Sequence, residues 1–175
     1  MTMLPDFVVQ LLNKHVRSTI YCVFNDNGKI AMKSGVLDTV LSDKLIMKSE
    51  VDNSQVIVPF FINNELALLN AYNANFIDLM RGKRTFSLDD KLKVKEIKSQ
   101  IISNLRPYMG KEISIIYKAQ DKLMMNRGQF SNMGMMGVLI KLAPFYNTEE
   151  NIYYKNILHI YNSELSDVLN VKLNG

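Results

Sequence analysis

The feature that most constrains this chain is a single residue pattern that occurs twice, 93 positions apart. Sliding the sequence by that offset sets Ile20 on Ile113, Phe24 on Tyr117, Lys29 on Lys122, Met32 on Met125, Gly35 on Gly128 and Leu37 on Phe130. Between them, Cys22 and Val23 meet Ile115 and Ile116, and Ile30 meets Leu123. A repeat of this kind implies two copies of one supersecondary unit, and it governs every later assignment. With small insertions in the second copy, residues 45–47 align with 139–141 and 56–58 with 152–154. Each copy reads as strand, turn, strand, glycine, strand, loop, strand. A lone glycine within a strand pattern marks a bulge or a sharp bend, because no Cβ resists close packing there. Strands bent at such points curl a small sheet toward a barrel.

A helical pattern precedes each copy. In the first, Leu4, Phe7, Val8, Leu11 and Leu12 recur at three- and four-residue spacing, with Pro5 suited to a first turn. In the second, Ser87 is a candidate N-cap and Asp89 and Asp90 fall in the first turn. Leu92, Ile97, Ile101, Ile102 and Leu105 then form an apolar stripe that stops near Pro107. The pattern predicts a mostly β, α+β chain of two tandem small five-stranded barrels, each led by a helix. The expected boundaries are 1–72 for the first module, 73–88 for a connector and 89–175 for the second. Within the connecting region, 66–69 is expected to close the first sheet and 75–81 to form a helical turn. Gly82, Lys83 and Arg84 are expected to form an exposed linker.

Charge and cysteine usage narrow the function classes. The net charge is only +4, less one-sided than a dedicated DNA-binding domain. Asp89, Asp90 and Glu96 interleave with Lys91, Lys93, Lys95 and Lys98, which reads as a solvated helix face. Cys22 is the only cysteine, which leaves no internal disulfide and no thiolate metal cluster. It sits in an apolar run, where cysteine acts as a small hydrophobe. No apolar stretch is long enough for a membrane helix and the N-terminus lacks a signal-peptide pattern, so a reduced cytoplasmic location is expected.

Several residues resemble the pattern of the Sm-like family, the fold of Sm proteins and bacterial Hfq. In the first copy these are the helix with Phe7, Leu11 and Leu12, Val16, the run from Ile20 to Val23, Asn27-Gly28-Lys29, Gly35 and Ser54-Gln55-Val56. In the second, Gly110-Lys111-Glu112-Ile113 resembles the opening of an Sm motif. Arg127-Gly128-Gln129-Phe130 resembles its glycine-bend strand, and Tyr154-Lys155-Asn156-Ile157 resembles the Hfq Tyr-Lys-His-Ala segment. The histidine of that Hfq segment contacts uridine-rich RNA; here the position is Asn156, and the first copy has Val58-Pro59-Phe60 instead. The resemblance implies small Sm-like barrels, RNA binding and assembly through strand edges.

Chemistry-bearing arrangements are sparse. His15 and His159 read as ordinary helix-end and strand residues rather than metal ligands, and no catalytic triad or phosphate loop is present. No cofactor, metal or catalytic residue is expected. Met124 and Met125 read as core, while Met133, Met135 and Met136 fit equally a loop or an adaptable surface. Tyr146, Tyr153, Tyr154 and Tyr161 crowd the last third of the chain near Lys141 and Lys155. Alternation along a strand sends Tyr153 and Tyr154 to opposite faces, so at least one reaches the surface, where it could stack a base. The function expected is a non-enzymatic RNA- or nucleotide-binding regulator. Tyr154, Lys155 and Asn156 would meet the base, and Arg81, Lys83 and Arg84 the phosphates. The second expectation is a protein-interaction module whose strand edges pair, giving a homo-oligomer or an intramolecular pseudo-dimer.

Overall fold

The computed structural model describes residues 3–80, 83–84, 91–162 and 168–169. Two units organise them, Met1–Arg84 and Thr85–Gly175. The first opens with helix α1 (Asp6–Asn13), then β1 (Thr19–Asp26), β2 (Lys29–Val40), β3 (Lys44–Lys48) and β4 (Gln55–Pro59). A small hairpin, β5 (Phe61–Ile62) and β6 (Glu65–Leu66), leads into β7 (Leu68–Asn73), β8 (Ile77–Asp78) and β9 (Lys83–Arg84). The second unit has α2 (Lys91–Leu105), a 3-10 turn (Arg106–Tyr108), β10 (Glu112–Ala119), β11 (Lys122–Met133), β12 (Gly137–Leu142) and β13 (Glu149–Tyr153). A second 3-10 turn (Tyr154–Asn156) precedes β14 (Ile157–Asn162) and β15 (Val168–Leu169).

All pairings are antiparallel, and the two main sheets share one order. It is β4-β3-β2-β1-β7-β8-β9 in the first unit and β13-β12-β11-β10-β14-β15 in the second. The repeat holds at the level of single hydrogen bonds. The Arg17 amide donates to the Leu37 carbonyl and the Gly110 amide to the Phe130 carbonyl, each pair at the 93-residue offset. β1 shifts register between Val23 and Phe24 where it meets β7, and β10 does so between Ile116 and Tyr117 where it meets β14. The extra residue lies on the partner strand in each case, Leu69 of β7 and Leu158 of β14, so β1 keeps its alternation: Cys22 and Phe24 join the core cluster, and Val23 is buried on the opposite side. The repeat glycines are required by close approach. A Cβ on Gly35 would lie 2.6 Å from the Lys48 carbonyl oxygen, and one on Gly128 only 2.2 Å from that of Lys141.

The sheets are open, which corrects the expectation of two closed five-stranded barrels. Closure would require β4 to meet β7, and β13 to meet β14. The free side of β7 is instead taken by β8 through Tyr72 and Asp78. The free side of β14 is taken by β15, with Ile160 opposite Leu169 and Tyr161 opposite Val168. Each closing edge is therefore occupied from within its own unit. The stretch expected as a helical turn near 75–81 contains β8. Lys83 and Arg84, expected as linker, pair with it as β9, and Arg81 and Gly82 lie outside the described residues.

The register also corrects the alignment past the glycines. Leu37 faces Met47 and Phe130 faces Ile140, so the third strands keep the 93-residue offset without an insertion. The Phe60 amide donates to the Asp43 carbonyl, and the Tyr154 amide donates to the Met136 carbonyl. Phe60 is therefore the counterpart of Tyr154, and both are fully buried.

The first core gathers Val8 and Leu12 of α1 with Ile20, Cys22, Leu37, Leu45, Met47, Val58, Phe60 and Leu68. Phe7, expected in that stripe, is 61% exposed. In the second unit Ile101 and Leu105 of α2 are likewise buried, as are Ile113, Ile115, Phe130, Val138, Ile140, Ile152 and Ile160 of the strands. Ser87, Asp89 and Asp90, expected to start that helix, lie outside the described residues, as do the side chains of Leu92 and Ile97.

Candidate nucleic-acid interface

The end of β13 and the 3-10 turn after it present the residues singled out in the sequence. Alternation along β13 buries Ile152 and turns Tyr153 outward, and the next step carries Tyr154 inward. Tyr154 is completely buried, with its hydroxyl donating to the Gly134 carbonyl at 2.7 Å. Burial raises its phenol above the ordinary value. The Lys98 ammonium of α2 sits 6.0 Å from the ring centroid. This corrects the assignment of Tyr154 as the stacking residue, because its ring occupies the core position of Phe60 in the first unit.

Tyr153 is the outward-facing member of the pair. It is 48% exposed, and the Lys155 ammonium lies 6.0 Å from its ring centroid. Lys155 is exposed and Asn156 half-buried on the same turn, which closes through the Ile157 amide and the Tyr154 carbonyl. Tyr153 is opposite Gly137 on β12. Met135 and Met136, the residues just before that glycine, are 83% and 55% exposed. Met124, expected as core, is 40% exposed, and Met125 is half-buried; Leu123 fills the core instead.

The duplication provides an internal reference for this surface. By strand register, Tyr153, Met135 and Met136 correspond to Pro59, Ser42 and Asp43 of the first unit. One backbone plan thus carries an aromatic and two thioethers in one copy, and small or acidic residues in the other. The basic set does not join the turn in one element. Lys83 and Arg84 belong to β9 of the first unit, with side chains outside the described set, as is the whole of Arg81.

A second polar cluster, on β10, β11 and the β12–β13 loop, was not singled out from the sequence as a site. Tyr146 donates its hydroxyl to Glu112 Oε2, and Arg127 Nε lies 3.3 Å from Glu112 Oε1. Gln129 Nε2 donates to the Gly110 carbonyl at 2.7 Å. The hydrogen bond to Glu112 raises the Tyr146 phenol above its ordinary value, with Arg127 opposing the shift. Tyr146 adopts a left-handed backbone at φ 57°, uncommon for a bulky residue, while its amide donates to the Leu142 carbonyl. Gly110, Glu112, Gln129 and Tyr146 line a cavity of about 280 Å³. The repeat held the signal: in the first unit Glu112, Arg127 and Gln129 are replaced by Thr19, Ser34 and Val36.

His15 and His159 belong to different units. Asn73 Oδ1 accepts from the Asn75 amide, so its Nδ2 faces His15 Nδ1 at 3.2 Å as a donor. His159 is buried, its ring centroid 6.0 Å from that of Tyr161. Among the described residues, no group of three or more His, Cys, Asp or Glu side chains is placed to hold a metal ion. No helix among them is long and apolar enough to cross a membrane. No family model, curated protein or solved structure matches this chain.

Proposed function

We propose that this chain is a non-enzymatic RNA- or nucleotide-binding protein whose base-stacking surface is centred on Tyr153 of the second unit, with Lys155 and Asn156 beside it. The observation that carries the reading is the half-exposed Tyr153 ring with the Lys155 ammonium 6.0 Å from its centroid. An aromatic face stacks any base and is worth about 1–3 kcal/mol per base, while a neighbouring lysine meets phosphate. The sequence resemblance to the Hfq segment bears on Lys155 and Asn156, since its tyrosine, Tyr154, is buried here. The replacement of Tyr153 and both methionines by Pro59, Ser42 and Asp43 in the first unit favours a role for the second.

Binding of fluorescein-labelled single-stranded RNA, followed by anisotropy, tests this. Tyr153→Ala should weaken affinity roughly 5- to 100-fold, matching the loss of one stacked base. Lys155→Ala should weaken binding and flatten its dependence on salt by about one phosphate contact. Wild-type affinity in Tyr153→Ala would end the assignment.

A second reading, assembly through strand edges, also has an observation in its favour. β4 and β13 are the end strands of their sheets, and Ile57 on β4 is 46% exposed. Unpaired edges are templates for a further strand. Light scattering decides it: a dimer or larger species supports edge pairing, and a monomer opposes it.

A further inference from the structure

The cavity at Glu112 has what is needed to recognise one kind of ring edge, and we propose that it is a guanine-selective base site. The carboxylate lies at a cavity of about 280 Å³, near the lower end of the range for small-molecule sites and large enough for a single base. The Tyr146 hydroxyl holds Oε2 by a hydrogen bond, and Arg127 Nε stands 3.3 Å from Oε1 as a charge contact without a hydrogen bond. A carboxylate offers about four lone-pair positions, so capacity remains on each oxygen after these contacts. The Glu112 side chain keeps 26% of its surface exposed, which leaves it open to a ligand.

Two adjacent acceptors spaced as in a carboxylate match two adjacent donors. Among the four standard RNA bases only guanine presents that pair on its Watson–Crick edge, through N1–H and the 2-amino group. Adenine and cytosine each place an acceptor nitrogen beside a single amino group, which the negative oxygen repels. Uracil has one N–H between two carbonyls. Bases splayed out of a single strand are read in this way, by their edges and by stacking on an aromatic ring. Tyr146 lines the cavity, and its neighbour Phe145 is 81% exposed. Thr19, Ser34 and Val36 at the equivalent positions of the first unit show that the shared backbone plan forms without this cluster.

The inference rests on the nucleotide-binding reading for its ligand class, but it concerns different residues. Isothermal titration of the full chain with GMP, IMP, AMP, CMP and UMP tests it directly. GMP should bind about tenfold or more tightly than AMP, CMP or UMP, with IMP, which lacks the 2-amino donor, weaker than GMP. Glu112→Gln, nearly the same size, should abolish the preference for GMP over IMP while circular dichroism stays that of the wild type. Should that variant misfold, the GMP-to-IMP comparison in the wild type decides. Equal binding of all five, no binding of GMP, or a preference that survives in folded Glu112→Gln would overturn the assignment. Single-stranded RNA binding without any guanine preference would sink this site alone. GMP selectivity without RNA binding would sink the RNA reading and leave the site standing.

Discussion

Tyr154 shows how one side chain's environment decides between two roles. Sequence made it a candidate platform for a base, and its burial, at the position that Phe60 holds in the first unit, makes it core. Tyr154→Phe removes only the hydroxyl bond to Gly134, leaving that carbonyl short of a donor. We expect about 0.5–1.5 kcal/mol of lost stability in urea unfolding, with RNA affinity unchanged. Tyr154→Ala empties a buried site and should cost about 3–5 kcal/mol. Cys22 is the other informative residue at this scale. Burial pushes its thiol up to about 12, so the native protein holds it neutral. A folded value above the unfolded one stabilises fully at pH below the unfolded value of about 8.5. That stabilisation is lost as pH rises, at up to about 1.4 kcal/mol per unit, until the folded value is reached. Urea midpoints should therefore fall between about pH 9 and 11 in the wild type and fall less in Cys22→Ala, which has no thiol to ionise on unfolding. In native buffer the thiol should resist a disulfide reagent until the chain unfolds.

At the scale of elements, the bent second strand of each unit depends on its glycine. The chain crosses so closely at Gly128 that a methyl group would fall 2.2 Å from the Lys141 carbonyl, against 2.6 Å at the Gly35 site. Neither obstacle is a flexible side-chain tip, so the strands must separate. We expect Gly128→Ala to cost about 1–3 kcal/mol or more, and Gly35→Ala somewhat less, by urea unfolding. Equal stability of Gly128→Ala and the wild type would show that the crossing relaxes freely. The hairpin turns have a different origin: Asn27 and Gly28, like Gln120 and Asp121, take positive φ to close two-residue loops. Where the units diverge, the first inserts the β5–β6 hairpin between Phe60 and Leu68. The second crosses the same place with the short 3-10 turn that displays Lys155.

At the scale of the molecule, each unit contains a complete sheet, a helix seated on its core and its own buried cluster. Residues 1–84 and 85–175, expressed separately, should each show β-rich circular dichroism and a cooperative urea transition. A fragment that remains unfolded would mean that its stability comes from the rest of the chain. The candidate surfaces are unevenly shared. Tyr153 with Lys155, and Glu112 with Arg127 and Tyr146, all fall in the second unit, while the first keeps the plan with less reactive residues.

The duplication, the strand succession, the glycine bends and the helix before each copy were legible from residues alone, because alternation and helical spacing are local consequences of backbone geometry. Gly35 and Gly128 announced a close crossing before its partner carbonyls were known. The opposed faces of Tyr153 and Tyr154 were also readable, but not which of them turns inward. That depended on register with β12, which sets the fourth strands two residues away from the alignment that the repeat suggested. The open sheets were decided by β8 and β15, short strands too weakly patterned to predict, which occupy the edges that a barrel would have closed. The Glu112, Arg127 and Tyr146 cluster was equally hidden, since its members lie on two strands and a loop. Only antiparallel pairing, which sets Glu112 opposite Gln129 and Ser114 opposite Arg127, brings these strands' members together around Glu112.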